Sequence, residues 1–228
     1  MTALHLEKVT KIYRKGGAEI RALDDVNLDI QAGEFLAVVG PSGSGKTTFL
    51  NILGCLDTPT EGRLVYDGKE LRALGEKGLS AYRRERISFV FQSYNLIPVL
   101  TARENVELPL VIERKRSSRE IRARAEEMIA AVGLAGMESR YPRELSGGQE
   151  QRVAIARALA KQPLVVLADE PTANLDSHAA EEIVDLMRAI NRERGSTFVF
   201  STHDRMVMER ARRVVTICDG RVTSDERK

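Results

Sequence analysis

The sequence predicts an α/β fold built around a mostly parallel β-sheet, and two patterns support this prediction. Short uninterrupted apolar runs are typical of strands buried on both faces of such a sheet, and they occur at residues 36–39, 87–91, 164–167, 197–200 and 214–217. Segments with helical periodicity lie between them, the clearest at residues 121–132 and at 183–190, the latter ending at Gly195. Strands that alternate with helices indicate α/β architecture.

The length of 228 residues and the 43% hydrophobic content fit one domain, with room for a subdomain. The alternation of Val26, Leu28 and Ile30 predicts a half-buried strand near the beginning of the chain. The stretch from about residue 92 to 149 is charged, helix-rich and free of strong strand runs. We therefore expect a helical subdomain at about 92–149, inserted into a core formed by about 1–91 and 150–228.

Composition restricts the possible partners. The 35 basic residues nearly balance the 33 acidic ones, so the net charge of +2 provides no general attraction to nucleic acid, and we expect no nucleic-acid partner. Two arginine-rich runs, 83–86 and 113–124, contain no interleaved aromatic residues and are diluted by acidic ones. They favour a solvated helix face, with contact to a partner or to anionic lipid as the alternative.

Cysteine spacing and hydropathy indicate the compartment. Cys55 and Cys218 lie far apart without a C-x-x-C pattern, which favours reduced thiols and a cytosolic location over a zinc site or a disulfide. The first residues show no signal-peptide pattern. No apolar run approaches the roughly 20 residues that a membrane helix needs. We expect any membrane role to be exerted through another chain.

A phosphate-binding motif follows the apolar run 36–39, and a predicted apolar helix from Thr48 to Leu53 follows the motif. The motif consists of Gly40, Pro41, Ser42, Gly43, Ser44, Gly45, Lys46 and Thr47. Its glycines let the backbone wrap around phosphate groups, Lys46 is long enough to reach the β- and γ-phosphates, and Thr47 offers a hydroxyl to Mg²⁺. The order of strand, loop and helix favours a P-loop for ATP over a merely flexible turn.

Two carboxylates, Asp169 and Glu170, follow the apolar run 164–168, at an edge where open α/β sheets bind ligands. Asp169 is a candidate for holding Mg²⁺, and Glu170 for orienting or deprotonating the attacking water. Taken alone, such a pair is as readily a helix N-cap or a solvated surface. Next to a P-loop, the catalytic interpretation is favoured.

Three further residues are candidates for the nucleotide site. His203 follows the predicted strand 197–201 and is a candidate γ-phosphate contact, although a lone histidine is more often structural. Gln92 follows the run 87–91 and is a candidate contact to Mg²⁺ or the attacking water, or else an ordinary loop amide. Tyr13 is a candidate stacking platform for adenine or a half-buried strand tyrosine.

A second anion-binding helix start is predicted at Leu145, Ser146, Gly147, Gly148 and Gln149. A helix that opens with a serine and two glycines presents free backbone N–H groups at the positive end of its dipole. One nucleotide needs only one such helix start, so the chain carries one more phosphate motif than a single nucleotide uses.

The motif set resembles the ATP-binding cassette ATPases in order and spacing, and the resemblance covers essentially the whole chain. The matching residues are 40–47, Gln92, 145–149, 167–176 and His203. The resemblance implies a P-loop NTPase fold with a RecA-like core, a small antiparallel β subdomain, and an inserted helical subdomain that carries residues 145–149. Glu150, where relatives frequently have glutamine, is the one departure.

The resemblance also implies roles that spacing does not show. Ser146 and Gly148 would bind the γ-phosphate held by another subunit, Asp176 would lie at the dimer interface, and Gln92 would lie near a membrane partner. This implies a head-to-tail homodimer that forms on ATP. An isolated monomer would then bind ATP and hydrolyse it poorly.

Residues 51–57 and 91–96 look most like the macrolide-export and lipoprotein-release branch of that family. This resemblance implies an ATPase subunit that drives a separate transmembrane permease from the cytoplasmic face of the inner (plasma) membrane. The implied cargo is a lipoprotein, a macrolide or a peptide-like molecule, moved by export or extraction.

Two other functions are compatible with parts of the sequence. A soluble cassette ATPase that acts on nucleic acid or ribosomes would share the motifs, but such relatives usually carry two cassettes, a long coiled coil or zinc modules. A small P-loop kinase would suit the length, but it would leave residues 145–149 and His203 without a role. The transporter ATPase is the function that uses every motif.

Overall fold

Two β-sheets form the framework of the structure, a computed structural model that describes residues 2–228. In chain order the strands are β1 (Thr2–Lys15), β2 (Ala18–Gln31), β3 (Phe35–Val39), β4 (Glu61–Tyr66), β5 (Lys69–Glu70), β6 (Ile87–Phe91), β7 (Val165–Asp169), β8 (Thr197–Ser201), β9 (Arg213–Cys218) and β10 (Arg221–Arg227). The helices are α1 (Lys46–Leu53), α2 (Gly75–Arg86), α3 (Ala102–Glu113), α4 (Ser118–Ala131), α5 (Gly147–Ala160), α6 (Ser177–Arg194) and α7 (Arg205–Arg210).

The larger sheet has the strand order β10-β9-β3-β8-β7-β6. The strands β9, β3, β8, β7 and β6 pair in parallel, and β10 pairs with β9 in antiparallel fashion. All five apolar runs form strands of this sheet, as predicted. The run 214–217 differs in having an antiparallel neighbour on one side, because the chain turns back at residues 219–220 to form β10.

Side chains of the parallel strands alternate between two buried layers, since successive residues of a strand point to opposite faces. Val166, Ala168 and Phe200 pack beneath α3 to α6. Val165 and Leu167 pack on the other side against α1 and the smaller sheet. Burial on both faces is why these strands are uninterrupted apolar runs.

The smaller sheet is antiparallel, with the order β2-β1-β4-β5. Val26, Leu28 and Ile30 are buried in β2 and alternate with exposed residues, as the sequence predicts. The remaining length of the hairpin formed by β1 and β2 was not predicted, because its outer half is polar. The small antiparallel sheet implied by the resemblance is present.

Capping residues define several helix ends. Ser117 caps α4 and forms reciprocal hydrogen bonds with Glu120, and Gly195 ends α6 in a left-handed conformation. The P-loop helix α1 begins at Lys46, two residues earlier than expected. The helix α5 continues through residues 149–150, so the boundary expected there lies inside a helix; the division into core and helical subdomain stays a prediction.

Within residues 2–228, no helix has the length and apolar character needed to cross a membrane.

Candidate nucleotide site

A cleft of about 540 Å³ lies at the carboxyl ends of the central parallel strands, and we call it the P-loop cleft. Register places the last residues of β6, β7 and β8 side by side, because Phe91 pairs with Asp169 and Asp169 pairs with Ser201. The volume is in the range of small-molecule sites. The candidate residues that line the cleft are Ser42, Gly43, Ser44, Gly45, Lys46, Thr47, Thr48, Gln92, Asp169 and Glu170.

Two glycines explain the tight course of the P-loop. Gly40 has φ 152° and Gly45 has φ 106°, which are conformations that favour glycine. A Cβ atom would lie 2.0 Å from the carbonyl oxygen of Ile217 at Gly40, and 2.3 Å from that of Ala22 at Gly45. The loop is therefore packed directly against the backbones of β9 and β2, and a side chain at either glycine would displace it.

The P-loop presents donors and a cation that fit a phosphate group. The N–H groups in the first turn of α1 have no acceptor within the helix. Lys46 Nζ donates to the carbonyl oxygens of Gly40 at 2.8 Å and Pro41 at 2.9 Å. The buried hydroxyl of Ser44 has no hydrogen-bond partner among the described residues. A polyanion would provide acceptors for all of these groups at once.

The two candidate carboxylates occupy different environments. Burial is the main cause that raises the pKa of Asp169, and the Glu170 charge adds to it, while a hydrogen bond with Ser201 and the Lys46 charge act in the opposite direction. Glu170 has φ 46°, a left-handed conformation that is uncommon outside glycine and costs of the order of 1–3 kcal/mol. Its N–H donates to the carbonyl oxygen of Ser201 at 2.9 Å, which anchors this turn.

Thr47, Gln92 and Asp169 all line the P-loop cleft and offer oxygen ligands, which Mg²⁺ prefers. The described residues contain no group of three or more His, Cys, Asp or Glu side chains arranged to hold a metal. A magnesium ion bound by one or two carboxylates completes its shell with phosphate and water oxygens. The donor set therefore fits Mg²⁺ bound together with a nucleotide.

Two further candidate residues lie at the edge of the cleft: Gln92 lines it, whereas His203 does not line it and contacts the lining residue Glu170. His203 Nδ1 lies 2.8 Å from Glu170 Oε1, and the imidazole is largely exposed. Gln92 Nε2 donates to Asn174 Oδ1 at 3.0 Å, while Asn174 Nδ2 donates to the Gln92 carbonyl oxygen at 3.1 Å. This reciprocal pair orients the Gln92 side chain.

The second phosphate motif lies in a different pocket of about 400 Å³, which we call the LSGGQ pocket. Ser146, Gly147, Gly148 and Gln149 line it, together with Asn174 and Asp176. Ser146 caps α5, accepting from the Gln149 N–H at 3.3 Å while its own N–H donates to Gln149 Oε1 at 2.9 Å. Asp176 caps α6 and accepts from the Ala179 N–H at 3.0 Å. Leu145 instead packs against the hydrophobic core.

Within one chain, the two phosphate motifs therefore belong to two pockets. The Gln92–Asn174 pair lies between them, since Gln92 lines the P-loop cleft and Asn174 lines the LSGGQ pocket. A nucleotide in the P-loop cleft of one chain would not use that chain's own LSGGQ motif.

Tyr13 lies beside the P-loop cleft but does not line it. Its cross-strand partner Ile20 and its neighbour Thr48 both line the cleft. The Tyr13 hydroxyl donates to Asp57 Oδ2 at 2.8 Å, and Lys11 Nζ lies 5.0 Å from the centroid of the Tyr13 ring. The role of adenine platform stays a prediction, and so does a structural role in β1.

Some residues at the site were not found from the sequence. Arg21, Ser201, Asp219 and Gly220 also line the P-loop cleft, and Asn174 holds Gln92. Arg21 and Asp219 belong to no recognisable sequence motif. They line the cleft because β2 and the turn after β9 pack against the P-loop. Ser201 could have been found from its position at the end of a predicted strand.

A third depression of about 520 Å³, the basic groove, lies between α2, β6, α3 and α5. Arg83, Arg84, Arg157 and Lys161 line it, and none of its lining residues is acidic. Arg157 donates to the carbonyl oxygens of Tyr94 at 2.7 Å and Asn95 at 2.6 Å. The arginine-rich run 83–86 lies on α2, and a solvated helix face was expected there. The helix α2 has no buried residue, which agrees with that expectation, but Arg83 also donates a hydrogen bond to the Cys55 carbonyl oxygen.

Residues 23–173 match the ABC transporter family. The chain belongs to this family. It is 48% identical over 230 residues to an uncharacterized ABC transporter ATP-binding protein of Methanocaldococcus jannaschii, MJ0796, covering 98% of this chain and 97% of that protein. It is 46% identical to the lipoprotein-releasing system ATP-binding protein LolD 1 of Rhodopseudomonas palustris, covering 96% and 97%.

The ABC cassette also matches part of a larger relative and a solved dimer. The macrolide export ATP-binding/permease protein MacB of Brucella melitensis is 46% identical over 225 residues, which cover 99% of this chain and 34% of MacB. A dimeric structure of MJ0796 in a post-hydrolysis state bound to ADP and Pi superimposes with a TM-score of 0.89 at 48% identity, covering 98% of both chains. These similarities confirm the predicted fold class and the prediction of an ATP-binding ABC transporter subunit with ATPase activity.

Proposed function

We propose that two copies of this cassette close head to tail around two ATP molecules and drive a separate transmembrane permease from the cytoplasmic face of the membrane. The observation that carries this proposal is the division of the phosphate motifs between two pockets of one chain. In a head-to-tail pair, the P-loop cleft of each copy faces the LSGGQ pocket of the other. The extra phosphate motif then completes a second active site.

Each composite site assigns roles to most of the candidate residues, with Tyr13 as the stacking platform for adenine. The P-loop N–H groups and Lys46 bind the β- and γ-phosphates, and the N-terminus of α5 of the second copy approaches the γ-phosphate from the other side. Thr47, Gln92 and Asp169 would hold Mg²⁺, which neutralises charge that develops on the phosphates. Glu170 orients the attacking water and accepts its proton. His203 holds the Glu170 carboxylate and contacts the γ-phosphate.

The basic groove is the proposed docking site for the permease. Leu56 and Ile112 line the groove and are about half exposed, at 50% and 52%. Its cations face no lining carboxylate. A cytoplasmic segment of the permease with apolar residues and at least one carboxylate would complement both properties. Phe89 and Phe91 of β6 line the groove, and Gln92 of the nucleotide site follows β6 directly. The strand β6 therefore connects the proposed docking site with the nucleotide site.

The proposed transport direction is export or extraction. Support comes from the similarity to LolD, a lipoprotein-releasing system protein, and to MacB, a macrolide export protein. The cargo proposed for this transporter is a lipoprotein, a macrolide or a peptide-like molecule.

The concentration dependence of ATP hydrolysis tests the head-to-tail proposal. If the active site is shared between two copies, the specific activity of the isolated cassette falls as the protein is diluted below the dimer dissociation constant. ATP binding to the monomer should persist in the same samples. A specific activity that stays constant in a strictly monomeric sample would contradict the shared site.

A further inference from the structure

We propose that Asp57 is a positioning residue for the nucleotide base, because it fixes the Tyr13 ring relative to the phosphate-binding helix α1. This inference rests on the proposed function, in which Tyr13 is the stacking platform for adenine. Asp57 itself lies outside the P-loop cleft and acts through Tyr13.

Asp57 is bonded to three groups at once. Its Oδ2 accepts from the Tyr13 hydroxyl at 2.8 Å, and its Oδ1 accepts from Lys11 Nζ at 2.5 Å and from the Thr58 N–H at 2.7 Å. Lys11 and Asp57 are largely buried, with side-chain exposures of 12% and 27%. Screening by solvent is weaker at such a site than at an exposed ion pair.

Lys11 restricts the Tyr13 ring further. Its ammonium group lies 5.0 Å from the ring centroid, within cation–π range, and also donates to the Thr58 carbonyl oxygen at 2.9 Å. Together the cation and the hydroxyl bond fix both the position and the tilt of the ring. The face opposite Lys11 is then the one available to a base.

Asp57 also belongs to the segment that ends the P-loop helix. The N–H groups of Leu56 and Asp57 both donate to the Asn51 carbonyl oxygen, at 2.9 and 3.2 Å, so the segment is tied to the last turn of α1. At a rise of 1.5 Å per residue, the eight residues of α1 extend about 12 Å from the phosphate end to this segment. Tyr13 lies on β1 of the smaller sheet. The hydrogen bond between Tyr13 and Asp57 therefore connects the proposed adenine platform to the phosphate-binding helix α1.

Ionisation supports this arrangement. Partial burial acts to raise the pKa of Asp57, but hydrogen bonds from Lys11, Tyr13 and Thr58 outweigh it and lower the pKa. Burial and the bond to Asp57 raise the pKa of Tyr13. At neutral pH the pair is a phenol that donates to a carboxylate, and hydrogen bonds to charged acceptors are stronger than neutral ones.

The test compares binding of ATP with binding of inorganic tripolyphosphate, which has no base to stack. Asp57→Ala is expected to weaken ATP binding about three- to tenfold, the loss that follows from one hydrogen bond. Its tripolyphosphate affinity should remain at the wild-type value. Tyr13→Phe should also weaken ATP binding, and the double variant should be no weaker than Asp57→Ala, because the bond lost in Tyr13→Phe is already absent from Asp57→Ala.

Glu19→Ala is the matched control, since Glu19 pairs with Arg14 in the same hairpin and, among the described residues, makes no hydrogen bond with Tyr13. It should bind both ligands as the wild type does. An equal loss of ATP and tripolyphosphate affinity in Asp57→Ala would overturn the proposal, because it would indicate a general structural role. Additive losses in the double variant would also overturn it.

Tyr13→Ala separates this inference from the function on which it rests. If Tyr13→Ala binds ATP as tightly as the wild type, the adenine platform is wrong and the positioning role is wrong with it. If Tyr13→Ala weakens ATP binding while Asp57→Ala does not, the platform stands and the positioning role alone is wrong.

Discussion

His203 Nδ1 lies 2.8 Å from Glu170 Oε1, and the two side chains differ sharply in exposure, at 75% for His203 and 20% for Glu170. The carboxylate is held within the P-loop cleft by a residue that approaches it from solvent. The backbone of Glu170 has a left-handed conformation, and its N–H donates to the Ser201 carbonyl oxygen. These features hold the backbone from which the carboxylate extends. The pair therefore consists of a candidate general base held in the cleft and a histidine that contacts it from the solvent side.

Glu170→Gln is expected to bind ATP normally and to accumulate as an ATP-bound dimer. The amide keeps the size of the side chain but cannot accept the proton of the attacking water, so kcat should fall about 10²- to 10⁴-fold. Turnover is measured by phosphate release, and the dimer by size-exclusion chromatography with ATP. Normal turnover would remove Glu170 from the proposed mechanism.

His203→Ala is expected to lower kcat about ten- to a hundredfold, the loss that follows from removing a hydrogen bond to a charged group. The ATP affinity should change much less, because the P-loop provides most phosphate contacts. Steady-state kinetics and ATP titration give the two quantities. His5→Ala is a suitable control, since His5 is partly exposed on β1, pairs with Asp29 and Glu7, and lines neither the P-loop cleft nor the LSGGQ pocket. Equal effects of both substitutions would contradict the specific role of His203.

Mixing two inactive variants tests the shared active site. Lys46→Ala should lose most of its ATP affinity, and Gly148→Asp should bind ATP in its own P-loop cleft but fail to hydrolyse it. The new carboxylate at the N-terminus of α5 would repel the γ-phosphate of the other copy. In a mixed dimer, one of the two composite sites contains neither substitution.

ATPase activity is therefore expected to reappear when the two purified variants are combined. Gly148→Ala controls for backbone effects, because a Cβ at this position lies 3.5 Å from Ala179 Cβ, an ordinary contact. A mixture as inactive as its components would argue against head-to-tail sharing.

Arg84→Glu is expected to reduce the stimulation of ATPase activity by the permease while leaving the basal activity of the isolated cassette unchanged. The substitution reverses one charge of the basic groove, and like charges across an interface disfavour binding. Co-purification with the permease measures the interaction directly. Arg192→Glu is the matched control, since Arg192 is exposed near the end of α6, away from the groove. Undiminished co-purification of Arg84→Glu would move the docking site elsewhere.

Asp225→Asn is expected to lower the free energy of unfolding by about 1–2 kcal/mol at neutral pH, a value reduced for the partial exposure of Asp225. Asp225 Oδ1 and Oδ2 accept from the buried Arg213 at 2.6 and 2.7 Å. The hydrogen bond from Arg213 lowers the pKa of Asp225. A lowered carboxyl pKa stabilises the fold above its unfolded-state pKa, and this contribution is lost as the pH falls through the folded-state value.

The difference between wild type and Asp225→Asn should therefore be constant near neutral pH, begin to fall at about pH 4, and vanish only at pH values below the lowered folded-state pKa. Urea unfolding at several pH values measures it. Asp67→Asn is the control, because the exposed Asp67 side chain makes no hydrogen bond among the described residues. A difference that does not depend on pH would rule out the ion pair as its cause.

The sequence predicted those parts of the fold whose cause is local. Strands such as β7 are apolar up to their last residue because both faces are buried, and the P-loop and the Ser146 cap follow from short-range chemistry. Residues whose role depends on distant neighbours were not predictable. Asn174 reaches Gln92 across 82 positions, and Arg157 reaches Asn95 across 62. The strand β10 carries little apolar pattern, since it covers an edge of the sheet.

The helix α5 begins at the LSGGQ pocket with Gly147 and ends beside Lys161, which lines the basic groove. Its 14 residues form a rod about 21 Å long, since each residue adds 1.5 Å. A helix hydrogen-bonded along its length is stiff, so its two ends move together. If the permease tilted α5 at the basic groove, the N–H groups at the N-terminus of α5 would move as well. These are the groups proposed to bind the γ-phosphate held by the other copy, so α5 would couple permease docking to ATP binding at the LSGGQ pocket.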